Sequence, residues 1–171
     1  MTQLSIDAVN AMTTEAFVDA FGGIAEHSQW VAERADLARP FATRDGFSAA
    51  FHAVLDGATR EELLVLVNAH PDLAGRAMKA GTLTADSTSE QNSVGLNTLS
   101  EDEFERFTTL NGLYKAKFGF PFIHAVRGGA SKFQILESFE QRLQNDIESE
   151  FHTAMGHIKR IIRFRIEDRV S

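Results

Sequence analysis

The sequence contains no cysteine in its 171 residues, so disulfides, thiolate nucleophiles and cysteine-bound zinc are all excluded. Positive charge is scarce as well: 17 lysines and arginines stand against 24 acidic residues, for a formal net charge of −7. Nucleic acids and anionic membranes bind basic surfaces, so neither is expected as a partner. The chain shows no apolar run of membrane-spanning length, no signal-peptide pattern and no peroxisomal tripeptide. Together these absences predict a soluble protein of the cytoplasm.

Helical patterns dominate what is present. At 43% apolar content, a chain of this length can bury a core of its own, and we expect one domain over residues 1–171. A serine or threonine followed three residues later by glutamate or glutamine is typical of a helix start. Three such pairs precede helical apolar patterns: Thr59 with Glu62, Ser100 with Glu103, and Ser131 with Gln134. In the second of these helices, the apolar spacing is satisfied equally by Leu113 and Tyr114.

A long last helix is predicted over residues 146–165. Its core-facing stripe advances by alternating steps of four and three residues. The stripe consists of Ile147, Phe151, Ala154, Ile158 and Ile161. One more step of four reaches Arg165, and an arginine on a core-facing side must be paired, or its head must extend to water or to a polar site.

The period-two alternation of a half-buried strand is nearly absent. The stretch most similar to a strand is residues 120–127, FPFIHAVR. A single strand there would have no second strand to pair with. We therefore predict an all-α, single-domain helical bundle with one ordered non-helical segment there. Gly119 and Pro121 break the helix inside an apolar run, so buried main-chain groups need partners, which a backbone ladder or a planar, amide-like ligand would supply. The weakest helical signal spans residues 79–100, which we predict to be a long functional or mobile loop.

His70 stands where an apolar helix should end, because Pro71 forbids its continuation. A lone histidine at an exposed helix end usually bonds the last carbonyls. Downstream, the stretch STSEQ brings a hydroxyl, a carboxylate and an amide together in Ser87, Glu90 and Gln91, although Ser87 and Glu90 also fit a helix capping box. Spacing alone leaves both interpretations open. The six histidines are scattered, so we expect no metal site.

Three motifs in this order, NAHPDLAG, STSEQ and FGFPFIHAVRG, resemble the family of 2-oxo-4-hydroxy-4-carboxy-5-ureidoimidazoline (OHCU) decarboxylases. The resemblance covers nearly the whole chain. It implies an all-helical fold, usually a homodimer, that converts OHCU to (S)-allantoin in the last step of urate degradation. The substrate carries a carboxylate on a hydroxyl-bearing ring carbon beside a carbon–nitrogen double bond. That imine accepts the electron pair left by carbon dioxide, so no cofactor or metal is expected.

The resemblance also implies roles for individual residues. His70 is the catalytic histidine, suited to exchanging a proton near neutral pH, and Glu90 holds the histidine or the ring through a charge-assisted hydrogen bond. The substrate-binding residues it implies are Pro71, Ser87, Thr88, Ser89 and Gln91, together with the main-chain groups of Phe122, Ile123, His124, Ala125 and Val126. His124 departs from the family, which more often carries an aliphatic residue there.

Two questions stay open at this point. The substrate is an anion and the protein is acidic, so a local cation should hold the carboxylate, and Arg165 and Arg127 are the candidates. The alternatives to a decarboxylase are a hydrolase of a related ureide, in which His70 and Glu90 activate water, and a non-catalytic helical dimer whose polar cluster consists only of caps.

Overall fold

The computed structural model describes residues 3–75, 80–127 and 130–171. Within these residues there are nine α-helices, one 3₁₀ turn and no β-strand, which confirms the all-α prediction. The helices are α1 Ile6–Asn10, α2 Thr14–Phe21, α3 Trp30–Asp36, α4 Arg44–Asp56, α5 Arg60–Ala69, α6 Ala85–Ser93, α7 Glu101–Phe118, α8 Lys132–Arg142 and α9 Ile147–Arg169, and the 3₁₀ turn is Leu96–Thr98. None of the described helices is long and apolar enough to cross a membrane.

The chain divides into two compact units. The first comprises Met1–Ala69 with Lys159–Ser171, and the second comprises His70–Ile158. Helices α1 to α5 and the C-terminal part of α9 belong to the first unit, and α6 to α8 with the N-terminal part of α9 belong to the second. A single domain over the whole chain stays a prediction.

The first unit is built around a cluster of phenylalanines. Phe47 of α4 lies at its centre, with ring centroids 4.9 Å from both Phe21 and Phe41 and 5.2 Å from Phe51. All except Phe41 are fully buried. Helix α4 buries this face because Phe47, Phe51 and Leu55 recur at helical spacing.

The second unit is built around Tyr114 of α7. Its ring lies 4.5 Å from Phe118, 5.4 Å from Phe122 and 5.6 Å from Phe139, measured between centroids. The sequence left open whether Leu113 or Tyr114 belongs to the apolar face of this helix. Tyr114 is completely buried while Leu113 is 55% exposed, so Tyr114 belongs to that face. The aromatic cluster therefore joins α7 and α8 to the chain just after residue 120.

The three predicted capping boxes all form. Ser100 and Glu103 cap α7, and Ser131 and Gln134 cap α8. At α5, the Thr59 N–H donates to Glu62 at 2.9 Å and the Glu62 N–H donates to the Thr59 hydroxyl at 3.3 Å.

Three sequence predictions about α6 and α9 are wrong. Residues 80–100 are not one long loop, because they include α6 and the 3₁₀ turn; Lys79 lies outside the described residues. The spacing of apolar residues does not predict α6, because the buried positions of this helix are polar. Helix α9 ends at Arg169, four residues later than predicted. Ile147 is half exposed, because it is the first residue of α9 and lies beyond the packed part of the stripe.

Candidate active site

His70 directly follows the last residue of α5, where Pro71 ends the helix as predicted. Its side chain is 8% exposed. The expectation of an exposed helix end is therefore wrong, because the chain after His70 is itself packed into the second unit, with Leu73 7% and Ala74 1% exposed. We call residues 70–75 the His70 loop.

The His70 loop is a tight turn with a strained backbone. The Gly75 N–H donates to the Asp72 carbonyl at 3.3 Å. Ala74 has a φ of 51°, in the left-handed region that residues with a side chain rarely adopt. A Cβ added at Gly75 would lie 2.7 Å from the Asp72 Cβ, so only glycine fits there. The sequence NAHPDLAG thus specifies a compact turn immediately after the candidate catalytic histidine.

Helix α6 carries the second motif and is joined to the His70 loop. Gln91 is 2% exposed, and its Oε1 accepts a hydrogen bond of 2.9 Å from the Ala74 N–H. Ser87, one turn earlier on the same face, is 5% exposed. The first two motifs therefore meet in space through a buried side-chain-to-main-chain hydrogen bond.

The capping box considered for Ser87 and Glu90 is not present. The N-cap of α6 is Thr84, whose hydroxyl accepts from the Ser87 N–H at 3.3 Å, so Ser87 lies inside the helix. Glu90 is half-buried in the last part of α6, while Thr88 and Ser89 are exposed. Helix capping therefore does not explain the spacing of this serine and glutamate.

The third motif forms the non-helical segment that the sequence predicts. Residues 121–126 adopt no regular secondary structure. Phe122 is fully buried, Ile123, Ala125 and Val126 are 3% exposed, and His124 is half-buried.

Side chains of neighbouring helices bind two main-chain groups of residues 121–126. Arg142 of α8 donates to the Ile123 carbonyl at 2.8 Å, and the Ala125 N–H donates to His157 Nδ1 of α9 at 3.0 Å. The sequence suggested a backbone ladder or a ligand as partners, and it did not anticipate this third solution.

Arg142 belongs to a buried ionic cluster that sequence reasoning missed. Its Nε and Nη2 donate to Glu150 Oε1 at 2.8 and 2.5 Å. The Tyr114 hydroxyl also donates to Oε1, and Asn145 Nδ2 donates to Oε2 at 2.7 Å. The guanidinium carbon lies 4.4 Å from the centroid of the Phe122 ring. Burial, together with the bond to Glu150, raises the pKa of Tyr114, so this hydroxyl acts as a neutral donor.

Arg165 is paired inside the first unit. It is 2% exposed, and its Nη1 donates to Glu26 Oε2 at 2.8 Å and to the Ile24 carbonyl at 3.2 Å. Of the alternatives that the sequence leaves open, the arginine is paired and its head does not reach water, because the buried carboxylate of Glu26, only 1% exposed, supplies the counter-charge. Arg127 is exposed, and Gly128 and Gly129 after it lie outside the described residues.

Among the described residues, neither His70 nor Glu90 belongs to a metal-binding group or to the cleft beside the His70 loop. In the part of the chain that the structure describes, no three His, Asp or Glu side chains are grouped to hold a metal ion. A cleft of about 640 Å³ borders Ala74, Gly75 and the first turns of α7, with Phe104 and Thr108 in its wall. Neither His70 nor Glu90 lines this cleft, so the candidate site is defined by its side chains and not by that cavity.

Comparison with known proteins identifies the family. The OHCU decarboxylase family model matches residues 10–167. An OHCU decarboxylase of Haloferax volcanii is 39% identical over 171 residues, covering 100% of this chain and 99% of that relative. A uric acid degradation bifunctional protein of Bacillus subtilis is 38% identical over 167 residues, which are 98% of this chain and 33% of that one.

A solved structure agrees with these sequence matches. The crystal structure of (S)-allantoin synthase superposes with a TM-score of 0.76 at 28% identity, covering 98% of this chain and 54% of that one. The matches define a class of helical decarboxylases, and this chain belongs to the OHCU decarboxylase family. The resemblance inferred from the three motifs is confirmed.

Proposed function

We propose that this chain decarboxylates OHCU to (S)-allantoin in urate degradation. The observation that carries the proposal is the buried hydrogen bond between Gln91 and Ala74, which joins the helix bearing Glu90 to the loop bearing His70. Family membership over essentially the whole chain supplies the substrate class. The absence of a capping box at Ser87 and Glu90 further favours a chemical role for α6.

The proposed reaction balances without an external electron carrier. The bond from the ring carbon to the carboxylate breaks, and its electron pair forms a double bond to the neighbouring ureido-bearing carbon. The electron pair of the carbon–nitrogen double bond moves onto the ring nitrogen, which takes up a proton. A proton then adds to the ureido-bearing carbon on one face, and the neighbouring hydroxyl loses its proton to become a carbonyl. His70 moves a proton in this sequence, because an imidazole exchanges protons near neutral pH. Glu90 orients His70 or the ring through a charge-assisted hydrogen bond.

The proposed substrate contacts come from two groups of residues. The polar group on and beside α6 comprises Pro71, Ser87, Thr88, Ser89 and Gln91. The second group is the main chain of residues 122–126. Its rigidity supports the proposal, since the Ile123 carbonyl and the Ala125 N–H are both held by neighbouring side chains. A rigid main chain presents donors and acceptors to a planar, amide-rich ligand at low entropic cost.

His70→Asn tests the proposal. With freshly prepared OHCU, we expect kcat to fall by about 10²–10⁴, the usual contribution of a general acid–base group. Carbon dioxide release and the chirality of allantoin are the readouts, and unfolding in urea checks that the variant is folded. His52→Asn, a histidine substitution in the first unit, is the matched control and should retain activity.

Three results would contradict the proposal. Near-normal turnover by His70→Asn would show that His70 is not a catalytic residue. Turnover of the substrate without carbon dioxide from the carboxyl carbon indicates a hydrolase. A thermal stability that allantoin leaves unchanged indicates a non-catalytic helical protein, since a ligand of the native state must stabilise it.

A homodimer and a cytoplasmic location are also part of the proposal; the dimer rests on the family resemblance and the location on the sequence prediction. Sedimentation equilibrium of the purified protein tests the dimer, which should weigh twice 18.9 kDa. Fractionation of cells expressing the full chain tests the location.

A further inference from the structure

We infer that Asn111 of α7 is a positioning residue for His70, acting through the Leu73 carbonyl of the His70 loop. Asn111 Nδ2 donates to that carbonyl at 2.9 Å, and the side chain is 4% exposed. A carbonyl oxygen only accepts, so the amide must turn its NH₂ toward Leu73. The inference rests on the proposed role of His70.

Side chains of α7 form hydrogen bonds to two consecutive residues of the His70 loop. One turn after Asn111, Lys115 Nζ bonds Asp72 Oδ2 at 2.8 Å. Positions four apart lie on one face of a helix, so α7 holds Asp72 and Leu73 together. Gln91 of α6 holds the next residue, Ala74, at 2.9 Å. Three successive residues of the loop are thus tied to two helices.

The loop needs this support because its backbone is strained. Ala74 is left-handed at a φ of 51°, and Gly75 approaches Asp72 too closely for any side chain. Such conformations persist only where the surroundings over-determine them. Loss of one tether should let the turn relax, and the relaxation would displace the residue at its start, His70.

One atom of the Asn111 side chain destabilises the folded state. Its Oδ1 is buried and has no hydrogen-bond partner among the described residues. An unsatisfied buried oxygen destabilises the folded state, and a leucine of similar shape would avoid it. What leucine cannot supply is the N–H that holds the Leu73 carbonyl. The position therefore supplies a donor to the Leu73 carbonyl, although the same side chain brings an unsatisfied buried oxygen with it.

The experiment compares four variants of the full chain for kcat, KM and urea unfolding. Asn111→Leu removes donor and orphan oxygen together, and Asn111→Asp keeps the shape but cannot donate from a carboxylate. Lys115→Met removes the exposed tether. Arg106→Met is the matched control, because Arg106 lies on α7 and pairs with Glu140 rather than with the loop.

We expect Asn111→Leu and Asn111→Asp to lower kcat by about ten- to a hundredfold with KM changed less than about threefold, since misplacement by about 1 Å costs on the order of 10² in rate. Lys115→Met should lower kcat by a smaller factor and Arg106→Met should leave it unchanged. Asn111→Leu should lower the urea midpoint only modestly, because it removes the orphan oxygen but leaves the Leu73 carbonyl without its donor. Should that variant fail to fold, Lys115→Met against Arg106→Met gives the same comparison.

Nuclear magnetic resonance separates this inference from the proposed function. Asn111→Leu should shift the His70 ring resonances and speed hydrogen exchange of the Ala74 N–H, while Arg106→Met should do neither. Wild-type kcat with unmoved His70 resonances in both Asn111 variants overturns the inference and leaves the proposed function intact. A wild-type protein that releases no carbon dioxide from OHCU overturns the proposed function, and the resonances then still decide whether Asn111 positions His70.

Discussion

Replacing Arg142 by methionine should destabilise the second unit severely. The arginine makes two hydrogen bonds to Glu150, one to the Ile123 carbonyl and a stacking contact with Phe122. Methionine retains the apolar stem but leaves Glu150, which is 0% exposed, without its counter-charge. Removing one partner of a buried ion pair costs about 3–5 kcal/mol.

The substitution should be visible in three measurements. In urea, the free energy of unfolding should fall by about 3–5 kcal/mol, provided that the transition is two-state by two probes. For a chain of this length, Tm should fall by roughly 6–20 °C. KM for OHCU should also rise, because the hydrogen bond from Arg142 to the Ile123 carbonyl anchors the segment proposed to contact the substrate.

A double-mutant cycle tests the reasoning behind this magnitude. In Arg142→Met/Glu150→Met no buried charge is left unpaired, so the double variant should be more stable than Arg142→Met alone. Arg106→Met, which breaks an exposed ion pair, should change stability by less than about 1 kcal/mol. A loss below about 1 kcal/mol in Arg142→Met, or strict additivity in the cycle, would refute the argument.

Three more outcomes are expected. Glu90→Gln should lower kcat with little change in the urea midpoint, since Glu90 is not part of a cap; an unchanged kcat would remove it from the reaction. Arg165→Lys should lower the urea midpoint, because the lysine cannot keep the full contact with Glu26 and the Ile24 carbonyl, and an unchanged midpoint would contradict this; of Arg165→Lys and Arg127→Lys, the variant with the raised KM identifies the cation that holds the carboxylate. Burial, above all, lowers the pKa of His52 below its ordinary 6.5, so the unfolded chain binds that proton more readily and stability should fall as pH drops below about 6.5. His52→Gln should flatten this slope in urea titrations at pH 7.5 and 5, and an identical slope would contradict the assignment.

Local signals in the sequence determined where α5, α7 and α8 begin and where α5 ends. The capping boxes of α5, α7 and α8 form as predicted because each needs only groups within four residues of chain, and Pro71 ends α5 because it lacks an N–H. The ordered non-helical segment was predictable for the same reason, from Gly119 and Pro121 in an apolar run. Helix α6 was not predictable in this way, since its buried positions, Ser87 and Gln91, are polar.

The identities of the candidate catalytic residues came from the order of three motifs, and their roles stay predictions. Their surroundings were decided only by tertiary structure. The partner of Arg142 lies eight residues away across a turn and that of Arg165 lies 139 residues away, and the tether of Leu73 comes from Asn111, 38 residues on. No local pattern selects such partners, because a buried charge or carbonyl is satisfied by whichever group the packed helices bring within about 3 Å of it. The sequence thus determined which residues are available for chemistry, and the packing of α6 and α7 against the His70 loop decided how they are held.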